Sequence, residues 1–345
     1  MSNNAQHIAI IRLSAMGDVA MTVPVVLALS KQYPDLKITI VSRPFFKSIF
    51  ENIPNVNFFS VHTHHQHKGF VGIIKLYSDL KALGVNQIAD FHNVLRSQVV
   101  RQLFALFGKK VAATDKGRAD KKALTSLTNK DFRPLKTMIQ RHLDTLKKLG
   151  YSVNLDMPYL LEKGPIPEKA SSLLGKKNEK WIGIAPFAHY KGKTYPIDLM
   201  EKVIAALSEN KHYTVLLFGG EPDFVRLEHL ANGLDNVFNF SKKISFIDEL
   251  HLISNLDVML SMDSGNAHLA ALFGVKTVTL WGATHPYAGF APYNQPEENC
   301  LVADRAQYPL LPTSVYGNVK VDGYEDAMRK ISPEKIVDRI LSQLN

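Results

Sequence analysis

Leu256-Asp257-Val258-Met259-Leu260-Ser261-Met262-Asp263-Ser264-Gly265-Asn266-Ala267-His268-Leu269-Ala270-Ala271 decides how the chain is read. Leu256–Ser261 has the apolar density of a buried strand, and the small residues after Gly265 read as a helix ending near Phe273-Gly274. A strand that passes through Asp-Ser-Gly into a helix leaves backbone N–H groups unpaired at the helix start. With the helix dipole they form an anion site suited to phosphate or pyrophosphate. Gly265 allows a ligand close to the backbone, and His268 stands one turn in, within reach of the same ligand. The competing reading is a plain strand-to-helix turn capped by Asp263 or Ser264.

The rest of the chain supplies a matching context. Strands read at Ile8–Leu13, Lys37–Ser42, Val56–Val61, Gln87–Asp90 and Lys110–Ala113, with helices at Val19–Tyr33, Phe45–Asn52, Phe70–Leu83 and Arg96–Phe107 between them. A helix at Leu135–Leu149 follows, and Pro158, Pro165 and Pro167 punctuate a linker. The alternation restarts at Trp181–Ala185 and continues with strands at Thr214–Phe218, Val237–Phe240, Asp257–Ser261 and Lys276–Leu280. The intervening helices read at Ile197–Glu209, Phe224–Ala231, Phe246–Ser254 and Ala267–Phe273. Such alternation predicts α/β architecture with parallel sheets covered on both faces. The expected layout is a Rossmann-like domain over residues 1–160, a linker over 161–178, a second Rossmann-like domain over 179–322, and C-terminal helices over 323–345. Those last helices, at Gly323–Lys330 and Pro333–Leu344, are expected to return to the first domain. A cleft between the C-terminal edges of the two sheets is the natural ligand site.

Composition narrows the class. The chain has 345 residues, 46% of them apolar, and a mean hydropathy near zero, as for a soluble globular protein. No window has the ~18 uninterrupted apolar residues of a membrane span. The N-terminal run, interrupted by Arg12 and Asp18, reads as a core strand and helix in place of a signal peptide. One cysteine, Cys300, excludes an intrachain disulfide and fits a reducing cytoplasm. Arg101–Lys148 holds thirteen Lys or Arg and four Asp, an excess of nine that equals the net charge of the chain. The segment could be a solvated face, a nucleic-acid patch or a surface for an anionic acceptor or membrane. It does not interleave aromatics with its basic residues as single-strand binders do, so nucleic acid is not expected as a partner.

Three further strand ends carry chemistry. Arg12-Leu13-Ser14-Ala15-Met16-Gly17-Asp18-Val19 lacks the three-glycine dinucleotide fingerprint. It places one carboxylate, Asp18, either to cap a helix or to act as general base on an acceptor hydroxyl. Ala185–Pro196 contains Lys191-Gly192-Lys193-Thr194-Tyr195-Pro196, where Lys191 reads as surface and Lys193 as a point charge for phosphate. Phe218-Gly219-Gly220-Glu221 brings Glu221 to the same edge, as a ribose acceptor or an acidic N-cap. His62-Thr63-His64-His65-Gln66-His67 looks like a metal tract, but no nearby carboxylate or cysteine in the sequence completes it. His285-Pro286 ends another strand, as a cleft residue or a structured loop.

Arg-x-Ser-x-x-Gly-Asp-Val, Lys193-x-Tyr-Pro, Gly219-Gly220-Glu221 and Asp263-Ser-Gly-x-x-His-x-Ala-Ala follow one another in this order. Together they resemble family 9 glycosyltransferases, the lipopolysaccharide heptosyltransferases. Ala327–Glu334 also resembles the family's C-terminal signature, so the likeness runs from Ile8 to the last helix. The resemblance implies a GT-B fold with an acceptor domain first and a nucleotide-sugar domain second. It also implies inverting transfer from an ADP-heptose-like donor to a lipid-linked inner core at the cytoplasmic surface of the inner membrane. By motif, Asp18 takes the place of the catalytic base, while Lys193, Asp263, Ser264, Gly265 and His268 take donor positions and Glu221 falls near the ribose contact. Ser14, Gly17, Asp90, His92, Asn93 and Arg96 fall on the acceptor side. Ala188-His189 stands where the family often has a Thr pair, and His92-Asn93 stands where Gln-Gly is usual. No two aspartates are two apart, so the Asp-x-Asp metal motif is absent and neither metal nor cofactor is expected. The readings that compete with transfer are a nucleotide-sugar epimerase on the same architecture and a non-catalytic nucleotide-binding module.

Overall fold

In the computed structural model, which describes residues 6–175 and 180–344, the chain forms two compact units. The first comprises residues 1–117 and 136–161, the second residues 118–135 and 162–345. The last three residues of the expected linker, 176–178, lie outside the described residues.

The first unit is built on β1 (His7–Ile11), β2 (Lys37–Ser42), β3 (Val56–Ser60), β4 (Gln87–Asp90) and β5 (Lys110–Ala113). They form one parallel sheet in the order β3-β2-β1-β4-β5. The expected helix Val19–Tyr33 is two, α1 (Met16–Ala20) and α2 (Val23–Gln32). Pro24 in the first turn of α2 has no N–H to continue the preceding ladder, so the chain restarts its helix there. Phe45–Asn52 is a 3-10 turn, Pro44–Ile49. Helices α3 (Gly69–Ala82) and α4 (Leu95–Leu106) follow β3 and β4, and Ile73, Leu76, Leu80, Val100 and Phe104 pack with Ala9, Ile11 and Ile88 of the sheet. Ile8, Ala9 and Ile38 have no exposed surface, the mark of a sheet buried on both faces. Each large aliphatic side chain so buried contributes roughly 1.5–3 kcal/mol.

Residues 118–135 do not stay with that domain. The segment begins with α5 (Arg118–Leu124), and Leu124, Phe132 and Leu135 pack with Tyr287, Ala288 and Phe290 of the second unit. The chain then returns to the first unit as α6 (Met138–Leu149), a helix capped by Thr137 and Gln140 and closed by Gly150 at φ 100°. The proline-rich stretch that follows carries a short helix, α7 (Glu168–Leu174).

The second sheet contains β6 (Lys180–Ala185), β7 (Tyr213–Leu217), β8 (Val237–Asn239), β9 (Val258–Met262), β10 (Lys276–Trp281) and β11 (Cys300–Val302). It is also parallel, in the order β11-β10-β9-β6-β7-β8. Read from its other edge, this is the doubly wound 3-2-1-4-5-6 pattern. Its helices are α8 (Ile197–Ser208), α9 (Phe224–Ala231), α10 (Phe246–Ser254), α11 (Gly265–Leu272) and α12 (Pro333–Ser342). Only the 3-10 turn Ala327–Lys330 forms within the expected helix Gly323–Lys330. The C-terminal helix α12 is buried in the second unit's core. Ile336, Ile340 and Leu344 pack with Ile204 and Leu207 of α8. Arg329 grips Asp198 through two bonds of 2.9 and 2.8 Å, and Tyr195 donates its hydroxyl to the Ile331 carbonyl at 2.5 Å.

Candidate active site

Each sheet reverses its winding once, between β1 and β4 in the first and between β6 and β9 in the second. Loops leaving two such strands diverge, opening a crevice at their C-terminal ends where open α/β sheets bind ligands. Most of the expected residues collect at these two switch points; Glu221 follows the neighbouring β7.

In the first unit the chain leaves β1 at Arg12, which is 6% exposed. A buried guanidinium must fill its fork of donors. Arg12 Nη2 meets Asp18 Oδ2 at 2.7 Å, Nε donates to the Ser14 carbonyl at 2.8 Å, and Nη1 donates to the Phe91 carbonyl at 2.8 Å. The Ser42 hydroxyl binds the Arg12 carbonyl, and Arg43 Nε donates to that of Leu13. One side chain thus fastens the loop after β1 to the loop after β4 and fixes Asp18 between them. Sequence reasoning gave Arg12 no role. The signal was an arginine directly following a wholly apolar strand, where its charge has to find a carboxylate.

Asp18 caps the helix start, the first of its two sequence readings. Its Oδ2 also accepts from the Ala15 N–H at 3.3 Å, which is a cap. Among the described residues nothing binds Oδ1, and the side chain is 26% exposed, so one oxygen stays open to a ligand hydroxyl. Ser14 and Gly17 lie partly exposed on the same turn.

The loop after β4 is held by internal bonds. Asp90 has no exposed surface, and its oxygens accept from the N–H groups of His92 (3.1 Å) and Asn93 (2.7 Å) and from Arg101 (3.1 Å). Burial pushes its carboxyl up despite bonds from Asn93, Ser97, Arg101 and His92. Asn93, at φ 46°, donates to the Thr114 carbonyl and accepts from Gln98, and Arg96 donates to the His67 carbonyl. These three residues, expected to meet the acceptor, have internal partners that shape the loop. Asn suits this left-handed position because its short side chain tolerates it. His92 is the exception. Its Nδ1 is buried with no hydrogen-bond partner among the described residues. Burial holds its pKa down to about 3, helped by Arg12 and Lys116 and opposed by Asp18, so the ring is neutral at pH 7.

In the second unit Lys193 ends a 3-10 turn, Lys191–Lys193, after β6. Its Nζ lies 2.8 Å from Asp263 Oδ2, which also accepts from Thr284 Oγ1 at 2.9 Å. Both charges are largely buried, with Lys193 17% and Asp263 7% exposed. Lys191 faces solvent, as expected. Two glycines allow this packing. A Cβ on Gly192 would stand 2.7 Å from the Gly317 carbonyl, and one on Gly317, at φ +81°, would stand 2.4 Å from the Lys193 stem. Ser314 Oγ accepts from the N–H groups of Tyr316, Gly317 and Asn318 and so holds that loop. Sequence reasoning missed Thr284, Ser314 and Gly317, which lie far along the chain.

Asp263 therefore serves Lys193 and does not cap the helix. Ser264 is the N-cap residue of α11, but its hydroxyl bonds Ser261 Oγ at 3.0 Å and no side chain caps the helix. The reading as a capped turn falls away, and the uncapped N–H groups beginning at Gly265 keep their affinity for an anion. His268 is buried one turn further on. Glu221 stands after β7 as placed, exposed and 2.9 Å from Lys242, whose hydrogen bond holds its carboxyl below the usual range. The cap role expected of it belongs to Asp223, which accepts from the Gly220 N–H. His285 is a loop residue whose Nδ1 accepts from the Tyr287 N–H at 3.1 Å, and burial, with Arg305, lowers its pKa to about 4.

The histidine tract is a turn organised by His67. Its Nδ1 accepts from the His62 N–H, and Nε2 lies 3.1 Å from Asp79. Among the described residues no group of three or more His, Cys, Asp or Glu could hold a metal. The basic segment is likewise not one face of one domain, because 118–135 belongs to the second unit. Lys121 lies 4.0 Å over the Phe290 ring, Lys130 donates to the carbonyls of Leu124 and Pro312, Lys136 pairs with Asp144, and Arg141 is buried against Asp115. Among the described residues no helix is long and apolar enough to cross a membrane.

The chain is similar to known proteins. The model of Glycosyltransferase family 9 (heptosyltransferase) matches residues 73–318. Lipopolysaccharide heptosyltransferase 3 of Escherichia coli K12 is 23% identical over 305 residues, covering 86% of this chain and 87% of that protein. The family 9 glycosyltransferase of Veillonella parvula superposes with a TM-score of 0.77 at 19% identity, covering 100% of this chain and 98% of that one. The E. coli heptosyltransferase WaaC with ADP-2-deoxy-2-fluoro heptose gives 0.68 at 17% identity, covering 98% and 99%. At these identities the structures bear on the fold, which is the GT-B class of two Rossmann-like units. The family match extends over most of the sequence, and the chain belongs to glycosyltransferase family 9.

Proposed function

We propose that this glycosyltransferase moves a heptose from an ADP-heptose-like donor to a lipid-linked inner-core saccharide, inverting the anomeric carbon, with Asp18 as base and no metal. The observation that carries the reading is the division of labour between the two switch points. One holds a carboxylate with an open oxygen beside Arg12, and the other holds Lys193 and an uncapped helix start. Glycosyl transfer with inversion needs these two functions. The names of the relatives, lipopolysaccharide heptosyltransferase 3 and a heptosyltransferase with a fluorinated ADP-heptose, support the choice of sugar and acceptor.

In this reaction Asp18 Oδ1 takes the proton of an acceptor hydroxyl. The acceptor oxygen bonds to the anomeric carbon from the face opposite the leaving group, and the bond to the diphosphate breaks. Its electron pair goes to the β-phosphate oxygen of ADP, whose charge Lys193 and the N–H groups of α11 offset. Glu221 is the carboxylate assigned to the ribose, and neutral His92 lines the acceptor side next to Asp18. The enzyme works on the cytoplasmic face of the inner membrane, where the acceptor's lipid is anchored.

The test is acceptor-dependent release of ADP from ADP-heptose with a deacylated inner-core acceptor, in EDTA, and NMR assignment of the new anomeric centre. Inverted product formed in EDTA supports the proposal. Retained configuration, restoration of activity by magnesium alone, or conversion of the donor without acceptor contradicts it.

A further inference from the structure

The first unit carries large apolar side chains that leave most of their surface exposed. Phe45 is 55% exposed, Phe70 70%, Val71 82% and Leu95 75%. Each stands just beyond a strand of the first sheet: Phe45 in the turn after β2, Phe70 and Val71 in the first turn of α3 after β3, and Leu95 at the first residue of α4 after β4. In a parallel sheet these positions share one edge, the C-terminal edge that also holds Asp18. Arg96 donates to the His67 carbonyl and so ties the start of α4 to the turn before α3. Gly72 lies so close to the His67 backbone that a Cβ would stand 2.1 Å from it, which fixes the first turn of α3 against that same turn. The apolar residues are therefore held outward by the fold while Ile73, Leu76 and Leu80 fill the core.

We propose that this edge is a docking surface for an anionic lipid bilayer. The charge pattern selects that occupant. Segments 43–50, 62–75 and 92–97 contain Arg43, Lys47, Lys68, Lys75 and Arg96; Lys47 and Lys75 pair with Glu51 and Asp79 just beyond them, and Arg43, Lys68 and Arg96 keep a net positive charge there. Aromatic and aliphatic tips among basic residues suit the interface of an anionic membrane, where the apolar groups enter the headgroup region and the cations meet lipid phosphates. A second copy of this chain would bring the same cations face to face. The proposal rests on the lipid-linked acceptor proposed above, since the edge with Asp18 is the one that has to meet that lipid. It also replaces the basic run 101–148 as the membrane-facing element. The exposed Leu106 and Phe107 lie at the other ends of these helices, at the opposite edge, where Phe107 stacks on Tyr77 with Lys81 above it.

The experiment is co-sedimentation of the full-length protein with vesicles of phosphatidylcholine, with and without phosphatidylglycerol. Neither acceptor nor nucleotide sugar is present, so the result stands whatever the transferase assay gives. We expect binding to the anionic vesicles only, weakened by salt. Phe70→Ser, Val71→Ser and Leu95→Ser combined should lower it more than tenfold, with the melting temperature and transfer to a deacylated acceptor unchanged. Leu106→Ser with Phe107→Ser should bind as wild type. Failure of wild type to bind, wild-type binding by the triple variant, loss in the Leu106/Phe107 variant instead, or a lipid-free dimer that the triple variant abolishes overturns the proposal.

Discussion

Replacing Lys193 with Met separates two roles of one cation. Met keeps an unbranched apolar stem against Gly317 and removes the charge 2.8 Å from Asp263. The Asp263 carboxylate, 7% exposed, then keeps only the Thr284 hydroxyl at 2.9 Å. Stripping one partner from a well-buried pair costs ~3–5 kcal/mol, because an uncompensated charge remains. Lys193 is 17% exposed, so water can enter its place, and a cost of about 2–3 kcal/mol is the better figure. For a unit of this size that lowers the melting temperature by roughly 4–12 °C. Adding Asp263→Asn removes the stranded charge and should return part of the loss. Affinity for ADP should not return. A charge-assisted bond to the diphosphate contributes ~1.5–3 kcal/mol, and because Lys193 also serves Asp263 the lower end applies, about tenfold in Kd. Scanning fluorimetry and titration calorimetry with ADP on the single and double variants read both quantities. Wild-type melting and wild-type ADP affinity in Lys193→Met would refute the reasoning, since the diphosphate would then lie elsewhere.

Arg12→Lys keeps the charge but loses the fork that joins Asp18, Ser14 and Phe91, so kcat should fall ~10²-fold from misplacement of Asp18, with ADP affinity unchanged by calorimetry. Glu249 carries a carboxyl that burial raises from 4.5 to about 7, so the folded state favours its protonated form. Its contribution to stability is lost as pH rises from 4.5 through about 7, and Glu249→Gln should melt above wild type at about pH 8 and level with it at about pH 5. Asp90→Asn leaves Arg101 without its buried partner and should cost ~3 kcal/mol in urea unfolding.

Ten of the strands were legible because buried parallel strands read as apolar runs. The eleventh, Cys300–Val302, was not, since a three-residue edge strand has too short a pattern to register. The excursion of 118–135 was hidden for another reason. Locally it shows only charges, and what anchors it, Phe132 and Leu135 against Tyr287 and Phe290, is a contact across some 150 residues of sequence. In the site, residues attached to a strand end could be named, as Asp18, Lys193 and Asp263 were. The partners that decide their state could not. Arg12 holds the Asp18 carboxylate with one oxygen open, and Thr284 and Gly317 settle where Lys193 lies. For Asp90, Asn93 and Arg96 the motif placed the residues on the acceptor side, and the bonds to Arg101, Thr114 and His67 that also hold them in the loop were not legible in the sequence.

The most direct test of the account is the single-turnover rate of transfer to a deacylated acceptor by Asp18→Asn, with donor saturating. Asn can still accept from the Ala15 N–H but cannot take a proton from the acceptor, so the rate should fall ~10²–10⁴-fold with ADP affinity at its wild-type value, while the melting temperature falls as well because buried Arg12 loses its carboxylate. A folded variant whose rate stays within a few-fold of wild type, or whose rate loss comes with an equal loss of ADP affinity, would contradict the assignment of Asp18 as base.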